Sequence, residues 1–525
     1  MTLAALHLAR NPIIWVVTTL ALGALTRHAH VVQLVGWMIE RLCRAWHSLV
    51  KTRRDLGRFF RTIVHDVALE LVAWKVQYST EHHPAKSNCR SMSGLHRTSH
   101  QDNLVIGSTK HSGWSYCGRY THSNTRVPTM ALHNHPMWRK PQHHQDLDRA
   151  HDHVHWAELF YDLIHVVTIF LLGNYLSHHL DIHGFLVFSG VFITLWYAWG
   201  ELSIFNSIYV STDFWHRLIM SVMICTVMFM AAAIPAIDGK GWVFFALGFA
   251  ANRAMIAALY YRARRANSSG ESMSTAQIRN FTVFAVIFAI TAFLPKPFAY
   301  WAFAAAIVAT QAMYMIPGVT VLRFERFVPR LGHMAERFAL LTLIVLGEGF
   351  FKLVVTLSEK GIYKVSPDVL VNFVIGGVSM FVMCWIYFDF VGNAKPKDKK
   401  VSTLVTWWLA HLVLMLCGVM VGVALAAEVK VGFWEPYPTE YAAIGCFGLA
   451  GYIAMLWVLQ NVIEHRVASE FGRWDVRVFG IALAIGCFYA VPHVPSLVGN
   501  LIWGTALLSQ IAIPLIRAWT KFQHE

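Results

Sequence analysis

The sequence predicts an all-α protein that crosses a membrane many times, and three observations point there. Of 525 residues, 56% are hydrophobic and 14% charged, where a soluble domain carries about a quarter charged residues. Mean hydropathy is +0.45. From about Val154 onward, apolar stretches of roughly 17 to 25 residues follow one another between short polar breaks, each long enough to cross a bilayer as a helix. A transmembrane barrel would show short alternating strands instead. The lipid bilayer is therefore the first expected partner. The net charge of +14 reads as lysines and arginines gathered in loops on one membrane side, so nucleic acid is not expected as a partner.

Residues 1–78 form an N-terminal extension. Its apolar stretch "NPIIWVVTTLALGALT", residues 11–26, is short for a span and suits a signal anchor, an uncleaved targeting segment or an interfacial helix. The basic stretch "RLCRAWHSLVKTRRDLGRFFRTIVHD" alternates apolar and cationic residues, as a helix lying on an anionic membrane surface would. Residues 79–153 are a polar linker rich in His and Ser, with "HNHP", "QHHQ" and "RAHDHVH". With so little apolar content, disorder is expected, and the histidines read as solvated rather than as metal ligands. The cysteines show no CxxC pair or zinc spacing. No metal site is expected.

Twelve spans are expected, at about 155–177, 184–205, 216–237, 241–261, 279–294, 298–316, 333–356, 369–391, 403–428, 439–463, 477–494 and 497–517. Prolines at 235, 295, 317, 492 and 495 fall near their ends, where helices stop. Cations concentrate in every second loop: Arg262, Arg264, Arg265 and Arg279 after the fourth span, Arg323, Arg326 and Arg330 after the sixth, and Lys395, Lys397, Lys399 and Lys400 after the eighth. Arg466 and Arg473 follow the tenth span, and Arg517 and Lys521 the twelfth. The positive-inside rule then places both ends of the core in the cytoplasm; which membrane holds the protein is not encoded in this pattern.

The core also echoes itself. "HWAELF" at His155 and "HMAERF" at His333 both fit H-x-A-E-x-F at a span start. "HRLIM" at His216 matches "HLVLM" at His411, and "WYAWGE" ending at Glu201 matches "WIYFD" ending at Asp389. Three echoes in one order predict two parallel six-helix repeats, residues 154–330 and 331–525, related by an axis along the membrane normal, an arrangement that recurs in transporters.

These motifs resemble a known family. "AELFYDLIHVVTI" is similar to the E-L-F-x-D-L signature of the bacterial low-temperature-requirement A proteins, and "HMAERFALLTLIVLGEG" to that family's H-x-x-E-R-F…I-V-L-G-E block. "DFWHRLIM" leading to "MAAAIP" fits as well. The resemblance covers about residues 154–517. Tyr161 stands where Phe is usual, His165 where an apolar residue is common, and Gly349 and Phe350 follow Glu348. The family label records a growth phenotype and implies no particular chemistry, so function must be read from the residues.

His155, Glu158, Asp162 and His165 are spaced three, four and three apart, which puts them on one helical face. Ionisable groups are costly in hydrocarbon and face a bundle interior or water. Such a stripe relays protons, coordinates a cation, or ties helices together through a partner such as Arg217, Arg253 or Arg337. Glu348 lies mid-span between two glycines, with Arg337 about 20° away in projection and Lys352 one turn on, as a possible intrahelical partner. His216 and His411 are candidate partners across the pseudo-axis and read as structural or titrating histidines rather than haem ligands. Glu201, Asp213, Asn252, Asp389 and Glu428 lie near span ends and need no special role.

The expectation is a secondary transporter or channel. Asp162 and Glu348 would bind a proton or cation, Glu158 and Glu336 would tune them, His165 lies on the same stripe, and Arg337 or Arg253 would hold a counter-charge or an anionic substrate. His155, His216, Arg217, Arg253, His333 and His411 form a secondary set. The substrate would be a small ion or small molecule. No Walker loop, GxSxG, HExxH or GxGxxG stands in a supporting context, so no cofactor and no catalytic residue is expected. The alternatives are a membrane-embedded enzyme acting on a lipid-like substrate, with Asp162 and His165 as its acid–base pair, and a structural or sensor protein whose acids only join helices.

Overall fold

The computed structural model describes Trp138 and residues 140–147, 154–267, 271–315 and 327–524. The chain divides into two compact units, Met1–Tyr120 and Thr121–Glu525, and the described residues belong to the second. The apolar stretch at 11–26, the basic region after it, most of the His-rich linker, Pro317, Arg323 and Arg326 lie outside them.

The core is a run of helices: α1 Trp156–His178, α2 Ile182–Ile208, α3 Phe214–Ala233, α4 Gly241–Ala266, α5 Glu271–Thr291, α6 Phe298–Met315, α7 Leu331–Lys360, α8 Pro367–Phe390, α9 Val401–Glu428, α10 Thr439–Val462, α11 Trp474–Ala490 and α12 Ser496–His524. Each falls on one of the expected spans. Among the described residues, 11 helices are long and apolar enough to cross a membrane, and α6 contributes only the shorter apolar piece Phe298–Ala312. The 23-residue α1 rises about 35 Å, enough for a hydrocarbon layer of about 30 Å.

Local chemistry fixes the helix ends. His155, Asp181 and Asp213 cap α1, α2 and α3, each accepting from a backbone N–H of the first turn. Pro367 opens α8. Gly361 closes α7 at φ 80°, a backbone region that favours glycine. Several helices outrun their apolar windows. The fifth was expected at 279–294 but begins at Glu271, so Arg279 lies inside α5 rather than in a loop. Its first turns are polar yet packed: Ser274 and Gln277 are buried, and Ser274 meets the Tyr209 hydroxyl at 2.9 Å. Hydropathy alone does not register such turns. The linker also differs locally from expectation, since Gln142–His143 pairs antiparallel with Tyr209–Val210 and His143 is fully buried.

Along the described spans, apolar side chains face outward and mid-span ionisable ones inward. On α1, Leu159, Phe160, Leu163 and Val167 face outward while Glu158, Asp162 and His165 are buried. A soluble helix shows the reverse, and this is the pattern of a helix solvated by lipid. In the first half α1 packs on α2 and α3, α4 on α2, α3 and α5, and α5 on α6. In the second, α7 packs on α8 and α9, α10 on α8, α9 and α11, and α11 on α12. The halves meet where α1 and α2 lie against α7 and α9.

Candidate functional site: buried charges where α1, α2, α7 and α9 meet

The α1 stripe points at this junction. The Arg337 guanidinium on α7, fully buried, donates from Nη1 to Asp162 Oδ2 at 2.8 Å. It also donates from Nη2 to Ser203 Oγ on α2 at 2.8 Å, and its Nε lies 3.8 Å from Glu158 Oε2. Trp199 Nε1 donates to the other oxygen of Asp162 at 2.7 Å, and the guanidinium lies over the Trp199 ring. His333 Nε2 is 3.3 Å from Glu158 Oε2. Two carboxylates thus share one guanidinium, with a histidine beside them. Of the three arginines considered as partners for α1, Arg337 fills the role. Arg217 stacks on Trp156, and Arg253 forms a buried ion pair with Glu201 while lying over Phe249.

Glu348 is different. It is fully buried mid-way along α7, and neither carboxylate oxygen has a hydrogen bond among the described residues. The alternative of an intrahelical pair with Lys352 is not what the structure shows: Lys352 Nζ donates to Asn174 Oδ1 on α1 at 2.6 Å. Gly173 separates the two charges. A Cβ there would lie 3.4 Å from Glu348 Oε1, Lys352 Nζ and Val423 Cγ2 alike. On the other side, a Cβ at Gly422 of α9 would come within 3.1 Å of the Gly349 Cα. Gly349 of "LGEGF" and Gly422 therefore serve close approach of α7 and α9, with the Glu348 carboxylate at the crossing, whereas a Cβ at Gly347 would meet open space.

The remaining residues divide. His155 caps α1, while His333, its counterpart in the repeat motif, pairs with Glu158. Glu336 is half-buried and makes no hydrogen bond or ion pair among the described residues. His165 Nδ1 bonds the Tyr161 carbonyl at 2.9 Å and its Nε2 is buried without a partner, so Asp162 and His165 do not form an acid–base couple. His411 has both ring nitrogens engaged, by the Trp407 carbonyl at 2.7 Å and the Tyr387 hydroxyl at 3.3 Å, and stacks on Phe338. His216 is buried against Phe205. Three polar residues that the sequence reading missed complete the junction: Trp199, Ser203 and Asn174. Their signal was their place on helices that face the acids, which sequence spacing within one helix does not show.

No curated protein and no solved structure matches the chain. Residues 153–513 match the family described as bacterial low temperature requirement A protein (LtrA). That match spans most of the chain and all but the end of the helical core, so this integral membrane protein, with its many apolar helices, belongs to the LtrA family.

Proposed function

We propose that this protein is a secondary transporter or channel in which intramembrane carboxylates bind a proton or small cation, with Glu348 as the exchanging group. The observation that carries this reading is the Glu348 carboxylate itself, fully buried with no hydrogen-bond donor among the described residues, while the Lys352 ammonium one turn on donates to Asn174 of α1 instead. A carboxylate left that way in a low-dielectric interior is costly. A proton or a cation arriving in the space kept open by Gly173 removes the cost, and its departure restores it. Asp162 is the second binding carboxylate. Glu158 and Asp162 hold two negative charges against the single positive charge of Arg337, so the cluster also takes up a proton or cation when neutral. Arg337 fixes α1, α2 and α7 around it.

The packing supports two parallel repeats, because the neighbours within α1–α6 recur in the same order within α7–α12. In a repeat-built transporter the binding site lies where the repeats meet, and α1 and α7 meet at these acids. Loop charges set both ends of the core in the cytoplasm.

The test is proton flux in proteoliposomes carrying an internal pH dye under an imposed potential. Wild type is expected to move protons or an exchanged cation, and Asp162→Asn and Glu348→Gln to lose that movement while keeping their elution profile and helix content. Folded variants that carry the wild-type flux would sink the assignment.

A further inference from the structure

A second, separate site lies in the second half of the protein. A cavity of about 40 Å³ opens between the end of α9, α10, α11 and the start of α12, room for more than one water molecule or a small ion. The Glu428 side chain lines it, is only 6% exposed, and makes no hydrogen bond or ion pair among the described residues. Most of the polar protons around it are committed elsewhere, the second N–H of the Asn500 amide being an exception. The Tyr437 hydroxyl donates to the Ala424 carbonyl at 2.7 Å. The Tyr441 hydroxyl donates to the Ser177 carbonyl at 2.9 Å, and Ser496 Oγ to the Gly432 carbonyl at 2.7 Å. Asn500 Nδ2 donates to Asn372 Oδ1 at 3.3 Å, and even the Cys487 thiol is turned to the Gly499 carbonyl. What these groups offer the cavity is chiefly lone pairs: the carboxylate, three hydroxyl oxygens and an amide carbonyl. No Lys or Arg lines it.

We infer that this cavity is a binding site for one dehydrated monovalent cation, an alkali ion or ammonium, with Glu428 as its counter-charge. A wall of acceptors repels anions and leaves a hydrogen-bond donor or metal ion as the complementary occupant. One carboxylate balances one positive charge, and a divalent ion would stay half-compensated in a low-dielectric site. The site is distinct from the Glu348 junction, so it stands or falls independently of the transport reading. The Tyr441–Ser177 bond nevertheless joins it to the end of α1, which gives an occupied site a direct hold on the helix that carries Asn174.

The experiment is thermal unfolding of the purified full chain in detergent, in chlorides of sodium, potassium, ammonium and N-methylglucamine at one ionic strength. The expected result is a saturable rise in Tm with at least one small cation over N-methylglucamine. The rise should persist in Glu348→Gln, which removes the cation carboxylate of the transport reading. In that Glu348→Gln background, Glu428→Gln should lose the rise and Tyr441→Phe should need about tenfold more cation (about 1.4 kcal/mol). If the Glu428→Gln variant does not fold, the Tyr441→Phe displacement decides. The inference is overturned if no small cation raises Tm, if Glu348→Gln removes the rise, or if, in the Glu348→Gln background, the rise survives Glu428→Gln or is unshifted in Tyr441→Phe.

Discussion

Arg337 is the residue on which the buried acids of α1 depend. It holds Asp162, Ser203 and Glu158 with one planar fork, a geometry lysine does not reproduce. Removing one partner of a buried charge network leaves the others unpaired, which costs about 3–5 kcal/mol. Arg337→Ala is therefore expected to be strongly destabilised in a denaturant titration in detergent. Arg337→Ala combined with Asp162→Asn should be less destabilised than the sum of the single variants. Additive losses would show that the two side chains do not interact energetically. Glu348 behaves oppositely: Glu348→Gln removes an uncompensated charge, so its effect should appear in flux before it appears in stability. The acids themselves were legible, because the three–four–three spacing of the α1 stripe fixes a face without any tertiary knowledge. Their partners were not, since nothing in the sequence favoured Arg337 over Arg217 or Arg253.

At the scale of elements, α1, α7 and α9 meet through glycine. Gly173 keeps open the space between Glu348 and Lys352, and Gly422 and Gly349 let two backbones touch. Gly173→Ala places a methyl group at ordinary van der Waals distance from its neighbours, so the fold should survive. The substitution is expected to cut flux several-fold with little change in Tm; unchanged flux would mean that the gap is not part of the path. Helix positions were legible from hydropathy, and helix ends less so. The first turns of α5 are polar in sequence but sealed by tertiary packing, and Gln142–His143 finds its strand partner only because the end of α2 lies beside it. Glu428 was passed over for the same reason. It ends an apolar run, and its cavity is assembled from Tyr437, Tyr441, Ser496 and Asn500, which only the fold brings together.

Across the described helical core, intramembrane charges are turned inward and apolar side chains outward, as lipid solvation requires. The loop charges predict sidedness. An epitope tag inserted in the loop after α8, beside Lys397, should be reached by antibody only after cells are permeabilised. A tag beside the fully exposed Tyr363, in the loop after α7, should be reached in intact cells when the protein is in the surface membrane. The reverse result would invert the orientation. Three short echoes in the sequence point to the proposed repeat, and the neighbour order of the two halves is consistent with it; the echoed acids sit in different settings, Glu158 buried in an ion-pair cluster and Glu336 half-exposed.

Under the proposed function, Glu348 is expected to change its state of protonation or cation occupancy while the fold stays intact. Infrared difference spectroscopy of reconstituted protein reads this directly, through the C=O stretch of a protonated carboxylic acid as pH or cation concentration is stepped. The account predicts a carboxyl band that appears and disappears reversibly in wild type and is missing in Glu348→Gln. A spectrum without such a band in wild type, or a band unchanged in Glu348→Gln, would contradict it.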